Sequence, residues 1–241
     1  MKKQIFYILF LWLCFKTFTG FAQAPPWQWA RSSSSANLET AFDVAVFPST
    51  GDVFVTGVYS GALNGVTAFN STTFTATNGG TDAYIAKYNS AGTFQWAIEI
   101  GGAGNDGARS ISLDPTGNIY ITGYFNGTVD FDPSAATFNI ASTGGQDAFI
   151  AKYSSAGAFM WAARMGGAST DIGYGIYADA NGVYVTGAYL SSATMRSSGA
   201  STVTAVTAAA QVGNNMFVAE YDLNGIVQWV ASAGSNQAEE G

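Results

Sequence analysis

The 241-residue chain contains no histidine and a single cysteine, Cys14. Without histidine it lacks the usual general base near neutral pH, the usual zinc ligand and any Ser-His-Asp triad. With one cysteine it can form no internal disulfide, and no cysteine cluster can hold a metal. Charge is scarce too. Charged residues make up 10% of the chain, Lys and Arg number 9 against 16 Asp and Glu, and the formal net charge is −7. That sign opposes nucleic acid, whose binding needs clustered cations to displace counterions. Long apolar runs are missing as well. The best is Ile5 to Phe15, and 11 residues fall short of the roughly 20 needed to span a bilayer.

That short run reads instead as the core of an export signal. Lys2 and Lys3 precede it, and Thr17 to Ala24 supply small residues for cleavage. The expected signal peptide is 1–22, cut after Ala22, because a cut after Ala24 would leave Pro25 at the new N-terminus. A lipid anchor through Cys14 is disfavoured by Leu13, where a small residue is wanted. Processing would remove Cys14 and three lysines, leaving 6 basic against 16 acidic residues. The charge then serves solubility outside the cell.

What the chain has is repetition. Gly51–Gly57 reads GDVFVTG, Gly117–Gly123 GNIYITG and Asn181–Gly187 NGVYVTG. Thr81–Tyr88 (TDAYIAKY), Asp147–Tyr153 (DAFIAKY) and Asn214–Tyr221 (NNMFVAEY) form a second series. Trp29, Trp96, Trp161 and Trp229 mark the period at steps of 67, 65 and 68 residues. A fixed period of this kind means a stack of equivalent supersecondary units.

Within the middle unit, Arg109–Asp114 alternates Ile111 and Leu113 with polar neighbours, which predicts a strand. Asp114-Pro115-Thr116-Gly117 has the residues a type I turn prefers. Asn118–Phe125 and Asp147–Tyr153 are β-branched and aromatic, so they predict a second and a third strand. Ser154-Ser155-Ala156-Gly157 turns the chain into a fourth, Ala158–Met165. Four antiparallel strands per unit, repeated radially, predict an all-β fold of the β-propeller class. A linear β-solenoid would have shorter coils without a hairpin after every strand. The expected plan is a lone outer strand at 27–31, blade units at about 39–100, 106–165 and 171–233, and the start of a further unit at 235–241. Three blades are too few to close a ring. The repeats at 23–241 are therefore expected to be part of a longer propeller, or a protomer that closes by association. Each unit also carries an insertion between its second and third strands: Val58–Thr81, Tyr124–Gln146 and Ala188–Asn214. These are read as extra hairpins, serving either as binding loops or as covers for sheet edges.

The middle copy, with Gly101 and Gly102, Asp106, LDPTGNIYITGYF, GGQDAFIAKY and Trp161-Ala162, resembles the bacterial β-propeller repeat family SBBP. The likeness covers Trp27 to Gly241 and is strongest over Gly101–Gly167. In the first copy Phe42 and Phe47 replace the Arg and Asp of the middle one, and in the last copy Asn215, Met216 and Glu220 replace Asp, Ala and Lys. The resemblance implies secreted or surface proteins of Gram-negative bacteria, often with further repeats or domains. It brings no catalytic residues.

Candidate site residues are acids. Glu39, Asp106, Asp171 and Glu239 each follow a marker tryptophan by ten residues. They are read as carboxylates accepting backbone N–H bonds in the turn between blades, with a ring of oxygen ligands for a hard cation as the alternative. GGAGNDG at Gly101–Gly107 matches a calcium nonapeptide, but that motif works in tandem and occurs once here. Calcium is thus the one cation considered, and no cofactor is expected. Asp130 and Asp132, two apart on a strand, share a face and could begin a glycan or calcium contact. A glycosidase needs only two carboxylates about 5 to 10 Å apart. Asp106, Asp114, Asp130 and Asp171 sit at repeated or turn positions, however, and a catalytic pair should break the repeat. The expected function is a secreted or cell-surface, non-catalytic binding or adhesion module for a polysaccharide or protein. The alternatives are a carbohydrate-active enzyme using paired carboxylates, or a purely structural surface repeat.

Overall fold

The structure, a computed structural model, describes residues 29–30, 38–60, 62–63, 74–75, 80–198, 205–207 and 214–233. The expected signal peptide, Glu239 and the start of a fourth unit lie outside these residues. So does the lone outer strand, except for Trp29 and Ala30, which lie in no regular element. The chain divides into two units, Met1–Ala30 and Arg31–Gly241, and every strand belongs to the second.

Among the described residues the fold is all strand. The first blade is built from β1 (Glu39–Phe47), β2 (Asp52–Ser60), β5 (Thr81–Tyr88) and β6 (Phe94–Gly102), with a short hairpin β3 (Ala62–Leu63) and β4 (Phe74–Thr75) in its insertion. The second has β7 (Gly107–Leu113), β8 (Ile119–Phe125), β11 (Asp147–Tyr153) and β12 (Phe159–Gly166), with β9 (Thr128–Asp130) and β10 (Asn139–Ala141) inserted. The third has β13 (Ile172–Ala178), β14 (Val183–Leu190), β17 (Asn214–Tyr221) and β18 (Val227–Ala233), with β15 (Thr194–Arg196) and β16 (Ala205–Thr207) inserted. Each blade is an antiparallel meander. The expected turn at Asp114–Gly117 closes by a bond from the Gly117 N–H to the Asp114 carbonyl, 2.9 Å.

The insertion hairpins do not join their own blades. β9 pairs with β6 of the first blade (Gly101 with Asp130, Gly102 with Val129), so that sheet runs β1-β2-β5-β6-β9-β10. In the same way β15 pairs with β12 of the second blade, Met165 facing Met195 and Gly166 facing Thr194. These two hairpins therefore cover the outer edges of the first and second blades, which would otherwise present unpaired backbone groups. Each also brings an apolar plug: Phe131 just after β9 and Met195 in β15 are fully buried. Phe131 packs against Phe149 (5.1 Å between ring centroids) and Phe125 (5.6 Å) in the core between the first two blades. Pairs of this kind add about 0.5–1.5 kcal/mol beyond area burial. Tyr120, Ile150, Trp161, Val185, Met195 and Phe217 belong to the corresponding core between blades two and three.

A second contact ties the blades together. Lys152 Nζ and Trp161 Nε1 in blade two both donate to the Leu223 carbonyl in the β17–β18 turn of blade three, at 2.9 and 3.1 Å. One blade earlier, Lys87 Nζ donates to the equivalent Ser155 carbonyl at 3.5 Å. Glycine in the arriving turn makes this approach possible. A Cβ on Gly225 would stand 2.7 Å from the Trp161 ring, at a φ of +83° that side chains avoid. Trp96 and Trp161 are thus blade packing.

Candidate functional site

The repeated acids sit where one blade passes to the next. The Asp106 backbone N–H donates to the Thr81 carbonyl, while its carboxylate accepts the N–H groups of Gly102 (2.8 Å) and Asn126 (2.9 Å). Asp171 repeats the arrangement one unit later. Its N–H donates to Gln146, and its carboxylate accepts from Gly167 (2.7 Å) and Leu190 (3.3 Å). Each Asp therefore joins the outer strand of one blade to the second strand of the next. Both side chains are buried, and burial pushes each carboxyl up to about 6. The two backbone bonds pull it down only in part, and at Asp171 the nearby Asp147 carboxylate adds to the rise. Glu39 occupies the same repeat position at the start of β1, but its Oε1 is buried with no hydrogen-bond partner.

The remaining acids are also committed to local structure. Asp114 is buried. Burial alone would raise its pKa, but bonds from Thr116 and Asn118 outweigh that and lower it. The Tyr120 hydroxyl donates to the same carboxylate, 3.1 Å. Asp130 Oδ1 accepts the N–H groups of Asp132 (3.0 Å) and Phe138 (2.8 Å), and Asp132 Oδ1 accepts that of Ser134 (2.9 Å). Asp130 and Asp132 line a depression of about 390 Å³ together with Glu99. Among the described residues, no group of three carboxylates is placed to hold a metal ion.

The positions that differ between copies converge instead. β1, β7 and β13, the first strands of the three blades, are stitched side by side through the side chains of Asp43, Ser110 and Ser112. Ser110 Oγ donates to Asp43 Oδ2 (2.7 Å), and the Ile111 N–H donates to the same oxygen (3.0 Å). The Ile176 N–H donates to Ser110 Oγ (3.3 Å) and the Ala178 N–H to Ser112 Oγ (3.0 Å). Each of these strands carries a bulge at the same repeat position, where the register skips Phe42, Arg109 and Tyr174. The bulge explains the glycine of the repeated Thr-Gly pair. A Cβ on Gly57, Gly123 or Gly187 would lie within 2.3 Å of the backbone carbonyl that the bulge pushes across.

The three bulge residues meet. The Arg109 guanidinium lies 5.3 Å from the Phe42 ring, 5.5 Å from Tyr174 and 5.3 Å from Tyr124 of β8. Phe42 and Tyr174 keep 40% and 51% of their surface exposed. Arg109 makes no salt bridge among the described residues, and its Nε is buried without a hydrogen-bond partner. Farther along the same strands a cavity of about 540 Å³ opens between Val46, Phe47, Leu113, Pro115 and the exposed Tyr177. The sequence reading missed this cluster, although Phe42 in place of Arg was visible as a departure from the repeat.

Comparison with known proteins agrees with this architecture. The family model of the SBBP β-propeller repeat matches residues 95–129, which run from β6 of the first blade through β7 and β8 into β9. The chain is 27% identical over 203 residues to an uncharacterized WD repeat-containing protein of Acanthamoeba polyphaga mimivirus, covering 80% of this chain and 14% of that protein. It is 26% identical over 143 residues to the regulatory protein FlaEY of Caulobacter vibrioides, covering 59% of this chain and 15% of that protein. The chain thus spans about one seventh of the length of these relatives. It is a repeat β-propeller module with an SBBP-like repeat at residues 95–129.

Proposed function

We propose that this repeat module works outside the cell as a non-catalytic binding element whose ligand is a polysaccharide. The observation that carries the reading is the state of its carboxylates. Asp106, Asp114 and Asp171 are buried, and both oxygens of each carry hydrogen bonds from the surrounding fold. A glycosidase needs one carboxyl to protonate a leaving group and another to reach the sugar ring, and buried groups held in this way can do neither. Exposed aromatic rings on the first strands, Phe42, Tyr174 and Tyr177, provide the apolar faces on which sugar rings stack. Export is supported by Lys2 and Lys3 before the apolar run and by the lack of cysteine after Cys14.

The test is a glycan array run beside hydrolysis assays on the same sugars. Retention of a polysaccharide without turnover is the expected result. Turnover abolished by Asp106→Asn or Asp171→Asn would replace the reading with a carbohydrate-active enzyme, and binding to proteins alone would reassign the ligand. No binding of either kind would leave a structural surface repeat.

A further inference from the structure

The geometry points to the Phe42–Arg109–Tyr174 cluster as a binding site for an acidic sugar unit within an otherwise neutral glycan. This rests on the binding-module reading above and names its site and ligand class. The first observation is chemical. In a chain of net charge −7, Arg109 is a cation without a carboxylate partner among the described residues, held between aromatic rings from three strands. Every other cation whose partner is described serves the scaffold: Lys87 pairs with Asp52, Arg164 with Asp147, and Lys152 bonds a turn carbonyl. A guanidinium is less strongly hydrated than an ammonium, and its planar fork pairs bidentately with a carboxylate or a sulfate.

The second observation is positional. The repeat keeps its tryptophans, its Thr-Gly pairs and its junction acids. At the bulge, however, it places Phe, Arg and Tyr in three successive copies. Packing requirements at equivalent sites would favour one residue type, as they do for the tryptophans. The bulge turns these side chains out of the ladder, which leaves the two outer rings half exposed beside the cation. Two half-exposed rings flanking an anion receptor suit a pyranose that carries a charged substituent. The overall negative charge disfavours a uniformly acidic polymer, so the fitting ligand has isolated acidic units.

Calorimetric titration of the full chain tests this with three probes: a glucuronate-substituted xylooligosaccharide, its unsubstituted counterpart and a sulfated galactooligosaccharide. The glucuronate-bearing probe is expected to bind at least tenfold more tightly than the neutral one. Arg109→Gln should abolish that preference, so that the charged and neutral probes bind alike, while Arg109→Lys should recover only part of it. If Arg109→Gln fails to fold by circular dichroism, Tyr174→Ala at the exposed ring supplies the second variant, and it should weaken both xylan probes. A preference for the sulfated probe with the same Arg109 dependence would support the site and assign its anion as sulfate. Equal binding of charged and neutral probes, or a preference that survives Arg109→Gln, would overturn the inference and leave the binding-module reading standing. Absence of binding to any glycan would remove both.

Discussion

The two junction aspartates should make this fold more stable in mild acid than at neutral pH. Asp106 and Asp171 are 2% and 0% exposed, and each is raised from 3.8 to about 6, chiefly by burial. A carboxyl whose folded pKa lies above its unfolded value binds its proton more tightly in the folded state. Its contribution is therefore fully present below about 4 and is lost as pH rises through 6. A rise of roughly two units at about 1.4 kcal/mol per unit gives about 3 kcal/mol for each residue. Asp147 and Glu99 are also raised by burial and act in the same direction. Asp114 and Asp179 are lowered, so they withdraw stability only as pH falls below the ordinary carboxylate range. The optimum should therefore lie near the ordinary carboxylate range, at about pH 4. In a chain of this length 1 kcal/mol moves Tm by about 2–4 °C. The melting temperature followed by circular dichroism should thus rise by several degrees between pH 7.5 and 5. Asp106→Asn and Asp171→Asn should each flatten that slope. A wild-type Tm that falls steadily over the interval, or a slope that both variants retain, would refute the reasoning.

The insertion hairpin is expected to be a structural plug: Phe131→Ala, which empties a fully buried site shared with Phe125 and Phe149, should cost about 3–5 kcal/mol in urea denaturation. A loss below 1 kcal/mol would mean that the hairpin is dispensable to the core. Gly225→Ala should destabilise by more than the 1–2 kcal/mol of a left-handed backbone alone, because its Cβ would also press on Trp161. Gly127→Ala, at a φ of +79° with open space around it, provides the control for the backbone part, and equal costs at the two sites would show that the tryptophan contact is not strained.

Much of a blade could be read directly because its strands are local. Asp147–Tyr153 begins and ends as β11 does, and Asp114–Gly117 turns as its residues require. The exchange of hairpins could not be read, since pairing β9 with β6 rather than with its own blade is decided by proximity between units. A signal was nevertheless present. The doubled glycine closing the outer strands of the first two blades, read as part of a turn, is where the hairpin crosses: a Cβ on Gly102 would lie 2.3 Å from the Thr128 carbonyl, and one on Gly167 2.1 Å from that of Ser192.

The same lesson holds for positions where the copies disagree. Phe42, which breaks the pattern set by Arg109, is the ring beside that arginine. Glu220, which breaks the pattern set by Lys87 and Lys152, reverses the contact between blades. In blade two a lysine and Trp161 both offer donors to an arriving turn carbonyl, whereas in blade three Trp229 Nε1 donates to Glu220 itself. Trp229 is 41% exposed, whereas Trp161, covered by the next blade, is 7% exposed. A turn arriving on this face would therefore meet a carboxylate acceptor, and a backbone carbonyl placed there would lose the two donors that hold blade three to blade two. Positions where a repeat is faithful reveal what the scaffold needs. Substitutions against that background mark where the contacts of one blade differ from those of the others.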